Sequence, residues 1–379
     1  MILKRFYDDN LAQASHLVGC PGAGEACVID ANRDLAPYME AAAKEGVRIT
    51  AVTETHIHAD YVSGSRELAA LTGATLYLSD EGDVDWKYGF ANEPNVKLVR
   101  QGSSFKTGAV RYDVIKTRGH TPEHISFVIT DEAVSTVPLG VFTGDFVFVG
   151  DVGRPDLLEN AAGIKGTMEP GARDLFESVQ EFSKYPDHLL IWPAHGSGSA
   201  CGKSLGGVPV SSLGYEKATN WAFRVQSQSE FVSEVLSGQP EPPRYFAEMK
   251  RINKVGPQFL DGLRTPARHL DGNRIPSLLG QGSIVIDIRP SSAFSESHIP
   301  GTLHIPLNKG FTTWAGWFTP YDEDIWLIAE SEFDARKATR DLAMIGLDRV
   351  VGWYGPDAFE EFRTAGGLLE ATSQTCACD

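Results

Sequence analysis

Cysteine is scarce in this chain. Five occur in 379 residues, Cys20, Cys27, Cys201, Cys376 and Cys378. An odd, scattered set in a chain of this length is no disulfide framework, and it sets the expectation of a reducing compartment, the cytoplasm. Long apolar runs are also missing. No stretch approaches the ~18 uncharged apolar residues of a membrane-spanning helix. The opening Met1-Ile2-Leu3-Lys4-Arg5-Phe6 lacks the basic start and apolar core of a secretion signal, so a soluble protein without a membrane partner is expected. Positive charge is in deficit, with 34 Lys and Arg against 50 Asp and Glu, a net charge of −16 and a pI near 5.1. That balance disfavours nucleic acid or an anionic membrane surface as partner. A small anionic substrate stays open, because local basic groups can act against the net field. There is no low-complexity segment and no internal repeat.

What is present divides in two. The length exceeds the ~100–200 residues of an ordinary core, so two domains are expected. Over residues 1–237 strand and helix signals mix. Strands are read at 27–30, 49–53, 74–78, 110–116, 124–130, 137–142 and 188–192, and helices at 35–44, 63–71 and 172–183. Two blocks of strand, each with helices, imply two sheets sandwiched between helical layers. The run Ser237-Gly238-Gln239-Pro240-Glu241-Pro242-Pro243 is polar and stiff, and a linker is placed over 238–263. From 264 to 379, strands at 283–288, 325–329 and 349–351 alternate with a helix over 334–346. This is the pattern of a doubly wound parallel α/β domain, followed by a short tail.

The chemistry concentrates in four elements. The first is Thr55-His56-Ile57-His58-Ala59-Asp60-Tyr61, two histidines and an aspartate at alternate positions after a strand. The others are Gly119-His120-Thr121-Pro122-Glu123-His124, Phe142-Thr143-Gly144-Asp145 and Pro193-Ala194-His195-Gly196. Each stands at a strand end beside Gly or Pro, or in a His-rich turn. Imidazole nitrogens and carboxylate oxygens gathered in this way suit Zn, Fe or Mn.

In this order the elements resemble the metallo-β-lactamase superfamily over about residues 1–235, which implies an αβ/βα sandwich with a metal site at one edge. In binuclear zinc members such as the glyoxalase II-like thioesterases, the position of Tyr61 is a histidine that serves the second metal. A phenol is a poor substitute, with a pKa near ~10. The resemblance therefore implies one metal, held by His56, His120 and Asp145. Two imidazoles and a carboxylate with open positions form the facial triad of non-haem Fe(II) oxygen chemistry. His58, Asp60, His195 and Tyr61 then surround the ligands or face the substrate.

A narrower resemblance, to the persulfide dioxygenases, rests on the same stretches with Ser63-Gly64 and Asp151-Val152-Gly153-Arg154. It implies one Fe(II) per chain, with zinc as the alternative or adventitious metal. The implied reaction takes a glutathione- or coenzyme A-type persulfide and O2 to sulfite and the free thiol. It also implies a homo-oligomer, a dimer or tetramer. Arg154 is expected to engage the carboxylate or phosphate of the carrier. Cys201, Lys203, Tyr215 and Asn220 follow His195 in the chain and are expected near the substrate.

The last domain resembles the rhodanese family over about 264–370, through Val285-Ile286-Asp287-Ile288-Arg289 and Ser297-His298-Ile299-Pro300-Gly301. An active rhodanese carries a cysteine in a loop closed by glycine and arginine, where backbone N–H groups stabilise its thiolate. Counting back from Arg336 puts Ser331 at that position, among Glu330, Glu332 and Asp334. No sulfur transfer is expected from this domain. An aromatic group, Trp314, Trp317, Phe318 and Tyr321, is read either as an interaction face or as core. Two alternatives stand beside the dioxygenase: a zinc-dependent glyoxalase II-like thioester hydrolase, and a non-enzymatic sulfur-binding or assembly protein.

Overall fold

Apolar alternation and continuous apolar runs set the strands. Val110, Tyr112 and Val114 point one way from their strand and are buried, whereas 13–20 and 125–130 are buried throughout, as strands covered on both faces must be. The computed structural model describes residues 1–160 and 166–372. It divides into two units, Met1–Phe259 and one beginning at Leu260. Cys376 and Cys378 lie outside the described residues.

Among the described residues the first unit holds two six-stranded sheets. One contains, in spatial order, β1 (Ile2–Asp8), β2 (Gln13–Cys20), β3 (Glu25–Ile29), β4 (Arg48–Thr53), β5 (Thr75–Ser79) and β6 (Val96–Val99). Its first three strands pair antiparallel and the remainder parallel. The other contains β7 (Ser104–Thr107), β8 (Val110–Lys116), β9 (Ile125–Asp131), β10 (Gly140–Gly144), β11 (Leu190–Pro193) and β12 (Ser211–Ser212). Here only β10 and β11 pair parallel.

Between the sheets Val18, Cys27, Ile29, Val114, Phe127, Phe142 and Trp192 form one core. Full burial of a side chain of this size is worth ~1.5–3 kcal/mol. Helices α1 (Ala36–Lys44) and α2 (Ser65–Thr72) cover the outer face of the first sheet through a second core around Tyr38, Val52 and Leu68. The short α3 (Leu157–Asn160) is followed by α4 (Met168–Phe182), α5 (Leu213–Thr219), α6 (Trp221–Arg224) and α7 (Gln228–Leu236). The last four cover the second sheet through Leu175, Val179, Ala222 and Phe231. The result is the expected four-layered sandwich.

The segment read as a linker is partly structured. Residues Phe246–Val255 form α8, whose Phe246, Met249 and Asn253 are buried in the first unit. Its three buried side chains fall at helical spacing, a pattern obscured in the sequence by the preceding prolines.

The second unit carries β13 (Arg268–His269), α9 (Ile275–Gly280), β14 (Ile284–Asp287), α10 (Ser291–Glu296), β15 (Leu303–His304), α11 (Phe311–Phe318), β16 (Ile325–Ile328), α12 (Glu332–Met344), β17 (Val350–Tyr354) and α13 (Asp357–Thr364). Its sheet runs β13-β17-β16-β14-β15, parallel throughout. Trp314 and Phe318 stack on one another at 5.9 Å, and both are more than half exposed, so these two are surface rather than core.

Candidate metal centre

Strand ends bring the site together. His56 follows β4, Asp145 follows β10 and His195 follows β11, while His120 stands in the loop from β8 to β9. Two glycines explain the Gly-His and Gly-Asp pairs. Gly119 has φ +139°, and a Cβ there would lie 2.5 Å from Leu175 Cα. Gly144 has φ +53°, and its Cβ would lie 2.5 Å from Thr55 Oγ1. No other residue fits so close an approach in that conformation without displacement. The sheets meet at the site: Gln13 bridges to His195, and Ala14 N–H donates to Ala194 O at 2.6 Å.

One ring nitrogen of His56, one of His120 and an oxygen of Asp145 lie within 4.8 Å of one another. All three residues are buried. Their neighbours set the tautomers. Thr55 Oγ1 donates to Asp30 Oδ2, so it accepts from His56 Nδ1 at 3.0 Å. His120 Nδ1 donates to Arg154 O at 2.9 Å. Both rings therefore turn an Nε2 lone pair inward, as metal-binding imidazoles do. His56 Nε2 and both oxygens of Asp145 have no hydrogen-bond partner among the described residues. Burial pushes the His56 imidazole well below its ordinary pKa, with the charges of His58 and His120 adding to this. Burial also lowers His120, against the opposing charge of Asp145. For Asp145 burial acts upward, but His195 and His120 prevail and hold the carboxyl below its usual range. Neutral imidazoles beside an ionised, unpartnered carboxylate fit a divalent metal, which would satisfy all three.

A second group stands alongside. Donor atoms of Asp60, His195 and Cys201 also lie within 4.8 Å of one another. His195 Nδ1 donates to Ala12 O at 3.0 Å, and its Nε2 lies 3.3 Å from both Asp60 Oδ2 and Asp145 Oδ1. Burial raises the pKa of Asp60, opposed by His195. It also raises that of the Cys201 thiol well above normal, helped by Asp145 and Asp60.

His58 is turned elsewhere. Its Nε2 donates to Asp30 Oδ1 at 3.1 Å. Burial alone would lower its pKa, but the charge and hydrogen bond of Asp30 win and raise it to about 9. Tyr61 packs against His58 at 4.6 Å and donates its hydroxyl to Asp30 O at 3.2 Å. Burial, with Asp30 and Asp60, drives the phenol pKa well upward.

Several residues expected near the substrate are placed otherwise. Arg154 is fully buried, paired through Nε and Nη2 with Asp156 and through Nη1 with Ala200 O and Pro240 O. Its guanidinium is thus spent on the fold rather than held out to a carrier. Lys203 bonds Glu234 and Ser237 O and covers the Trp221 ring. Tyr215 is 59% exposed on α5, one turn into a surface helix. Asn220 is buried, but it caps α6 and bonds Asp151 O and Glu216. Cys201, unlike these, stands beside the metal trio's neighbours, buried next to Asp60 and His195. In the second unit Ser331 caps α12, accepting from Asp334 N–H, and Arg336 is exposed.

Two residues escaped the sequence reading. Asp30, at φ +54°, receives Thr55 N–H, Thr55 Oγ1 and His58 on its carboxylate and Tyr61 on its carbonyl. A lone carboxylate ending an apolar strand was its only signal. Asn253, on α8, donates to His58 O and Tyr61 O and accepts from Ser63 N–H. Nothing in its sequence neighbourhood marks it.

Comparison with known proteins agrees with this geometry. The profile of the Metallo-beta-lactamase superfamily matches residues 10–195, and that of the Rhodanese-like domain matches 273–354. The chain is 26% identical over 281 residues to the mitochondrial persulfide dioxygenase ETHE1 of Bos taurus, covering 73% of this chain and 91% of that one. It is 29% identical over 239 residues to a hydroxyacylglutathione hydrolase of Rhodopseudomonas palustris, covering 63% and 80%. Among solved structures it resembles a metallo-beta-lactamase from Staphylococcus aureus, with TM-score 0.84 and 42% identity over 94% of this chain and 99% of that one. It also resembles ETHE1 from Myxococcus xanthus, with TM-score 0.55 and 25% identity over 67% and 99%. Two sheets, a buried His–His–Asp group at their shared edge and a separate parallel domain thus carry one conclusion: the chain belongs to the metallo-beta-lactamase superfamily and bears a C-terminal rhodanese-like domain.

Proposed function

We propose that the first unit is a mononuclear non-haem Fe(II) persulfide dioxygenase. Its substrate would be a low-molecular-weight thiol persulfide of the glutathione or coenzyme A type. The balanced reaction is R–SSH + O2 + H2O → R–SH + sulfite + 2 H+. The observation that carries this reading is the buried trio of His56, His120 and Asp145 without a fourth protein donor from His58 or Tyr61, both of which are engaged by Asp30. Likeness to the persulfide dioxygenases supports it.

When bound there, Fe(II) would supply open coordination positions for sulfur and O2. His56, His120 and Asp145 would hold the ion, the two imidazoles being oriented by Thr55 and the Arg154 carbonyl. His195 presents Nε2 to the same space, with its other nitrogen anchored on Ala12 O, and is placed to take the proton of an arriving persulfide. Burial of the whole group keeps bulk water from the reacting atoms.

Likeness to a hydroxyacylglutathione hydrolase favours a second reading, zinc-dependent thioester hydrolysis. The engaged phenol of Tyr61 weighs against it. Anaerobic purification with metal analysis, followed by O2 uptake on adding glutathione persulfide, separates the two. One iron per chain with sulfite formed in step with O2 consumed is the expected result. Thioester hydrolysis without O2 uptake by the iron-loaded protein would overturn the dioxygenase.

A further inference from the structure

We propose that the cavity between α8, the loop of His120 and the start of α4 is a binding site, separate from the metal trio, for a small zwitterion of the α-amino acid class. Binding there does not depend on which reaction the metal centre performs.

The cavity measures about 530 Å3, within the range of small-molecule sites. Lys250 and Lys254 reach it from α8, one helical turn apart and so on one face. Asp83 and Asp85 reach it from the turn after β5, and Asp174 from α4. Pro122, Pro155 and Pro170 stiffen the remaining wall, so the space is held open before any ligand arrives. Among the described residues none of the trio lines it.

Charge names the ligand. The chain carries a net charge of −16, so cations without a partner stand out. Lys250 Nζ lies over the Trp86 ring at 3.9 Å, and among the described residues neither lysine ammonium makes a hydrogen bond or an ion pair. Burial pushes Lys250 down to about 8, against the charge of Glu123 and with that of Lys254. It therefore remains mostly charged at neutral pH, and a ligand carboxylate would restore what desolvation removes. Asp174 is met by Arg118 at 3.2 Å. Asp83 accepts from Asp85 N–H, and both aspartates are exposed, with no ion pair among the described residues. Two cations from one element and two anions from another match a ligand that carries a carboxylate and an ammonium. A phosphate gains the lysines but meets the aspartates, and an apolar ligand leaves all four unmet.

A ligand in the cavity bears on the metal centre from two sides. Gly119 and Pro122, which line it, flank His120 in its loop. Helix α8 also carries Asn253, which donates to His58 O and Tyr61 O. Joining α8 to that loop is expected to slow metal loss, and by linkage the metal tightens the ligand.

Calorimetric titration of the metal-loaded full chain under nitrogen tests the site, with L-glutamate, S-methylglutathione and inorganic phosphate as probes. The two zwitterions are expected to bind at one site, and phosphate ~10-fold or more weakly. Lys250→Met with Lys254→Met should weaken the zwitterions by ~10-fold or more. The exposed pair Asp83→Asn with Asp85→Asn should weaken them too, while tightening phosphate. No binding of either zwitterion, unchanged binding in the folded lysine variant, or a preference for phosphate overturns the site. Competition of S-methylglutathione with the persulfide would assign the ligand to the amino-acid end of the thiol carrier. Binding of glutamate alongside the persulfide would assign it to a free amino acid. In a further arm, metal loss to a chelator is followed with and without glutamate. Slower loss that reverts in the lysine variant supports the coupling, and an unchanged rate with the cavity filled overturns it.

Discussion

Asn253 Nδ2 donates to the carbonyl of Tyr61 at 2.7 Å, across 192 residues of chain. The same nitrogen donates to His58 O at 2.8 Å, and Oδ1 accepts from Ser63 N–H at 2.9 Å. One buried amide thereby satisfies three backbone groups of the turn that carries His56 and Asp60. Asn253→Leu leaves those groups buried and unpaired, at ~1–3 kcal/mol each. We expect metal affinity to fall ~10–100-fold, as for loss of other groups that orient ligands. Chelator competition measures this, and wild-type affinity in a folded variant would show that the turn holds itself.

The metal should depend on three residues and not on a fourth. His56→Ala, His120→Ala and Asp145→Ala are each expected to abolish iron binding. His195→Ala should retain most of the iron while slowing turnover, because His195 lies outside the trio and its Nε2 serves as the base beside Asp145 Oδ1. Equal metal loss in all four variants would assign a different ligand set.

Arg154→Ala tests whether the arginine belongs to the fold or to the substrate. Its removal breaks the buried pair with Asp156, a change worth ~3–5 kcal/mol. The expected variant unfolds at much lower urea and loses metal, since the carbonyls of Ala200 and Pro240 lose their donor and the backbone of residue 154, whose carbonyl receives His120 Nδ1, is no longer fixed by its side chain. A stable, metal-filled variant with only a raised KM would return Arg154 to the substrate.

Acid should weaken the fold through His16. It packs on the Phe142 ring at 4.8 Å, and burial, with Arg5 adding to it, lowers its pKa to about 3. The unfolded imidazole takes a proton below about pH 6.5, and the folded one does not until about pH 3. Stability therefore falls as pH drops through that window, by ~1.4 kcal/mol per pH unit from this residue. His16→Phe should flatten the slope of unfolding free energy between pH 6 and pH 4. Identical slopes would mean that His16 already titrates normally in the folded state.

Ser331 is a helix cap. Its hydroxyl accepts from Asp334 N–H at 3.2 Å and bonds Asp334 Oδ2 at 2.6 Å. Ser331→Ala is expected to destabilise α12 by ~1 kcal/mol. Neither the natural chain nor Ser331→Cys should transfer sulfur from thiosulfate to cyanide, because Glu330, Glu332 and Asp334 oppose a thiolate and an anionic donor. Measurable transfer by the natural chain would overturn this.

Sequence alone determined what local pattern determines. Apolar periodicity placed the central strands of both units but left β1, β2, β13 and β15 unread; residue type marked the four His- and Asp-bearing elements, and family resemblance chose His56, His120 and Asp145 among them, which the fold brings within reach of one another. The missing cysteine at Ser331 was equally legible, since absence needs no geometry. Tertiary structure decided which way each polar side chain turns. Asp30 captures His58 and Tyr61, and Arg154 turns inward to Asp156, because buried polar groups must find partners wherever the chain brings them. Helix α8 looked like linker because its contribution lies in contacts made across 190 residues or more. Cys201 was visible as a residue, but its place between Asp60 and His195 follows only from two loops meeting on one buried arginine.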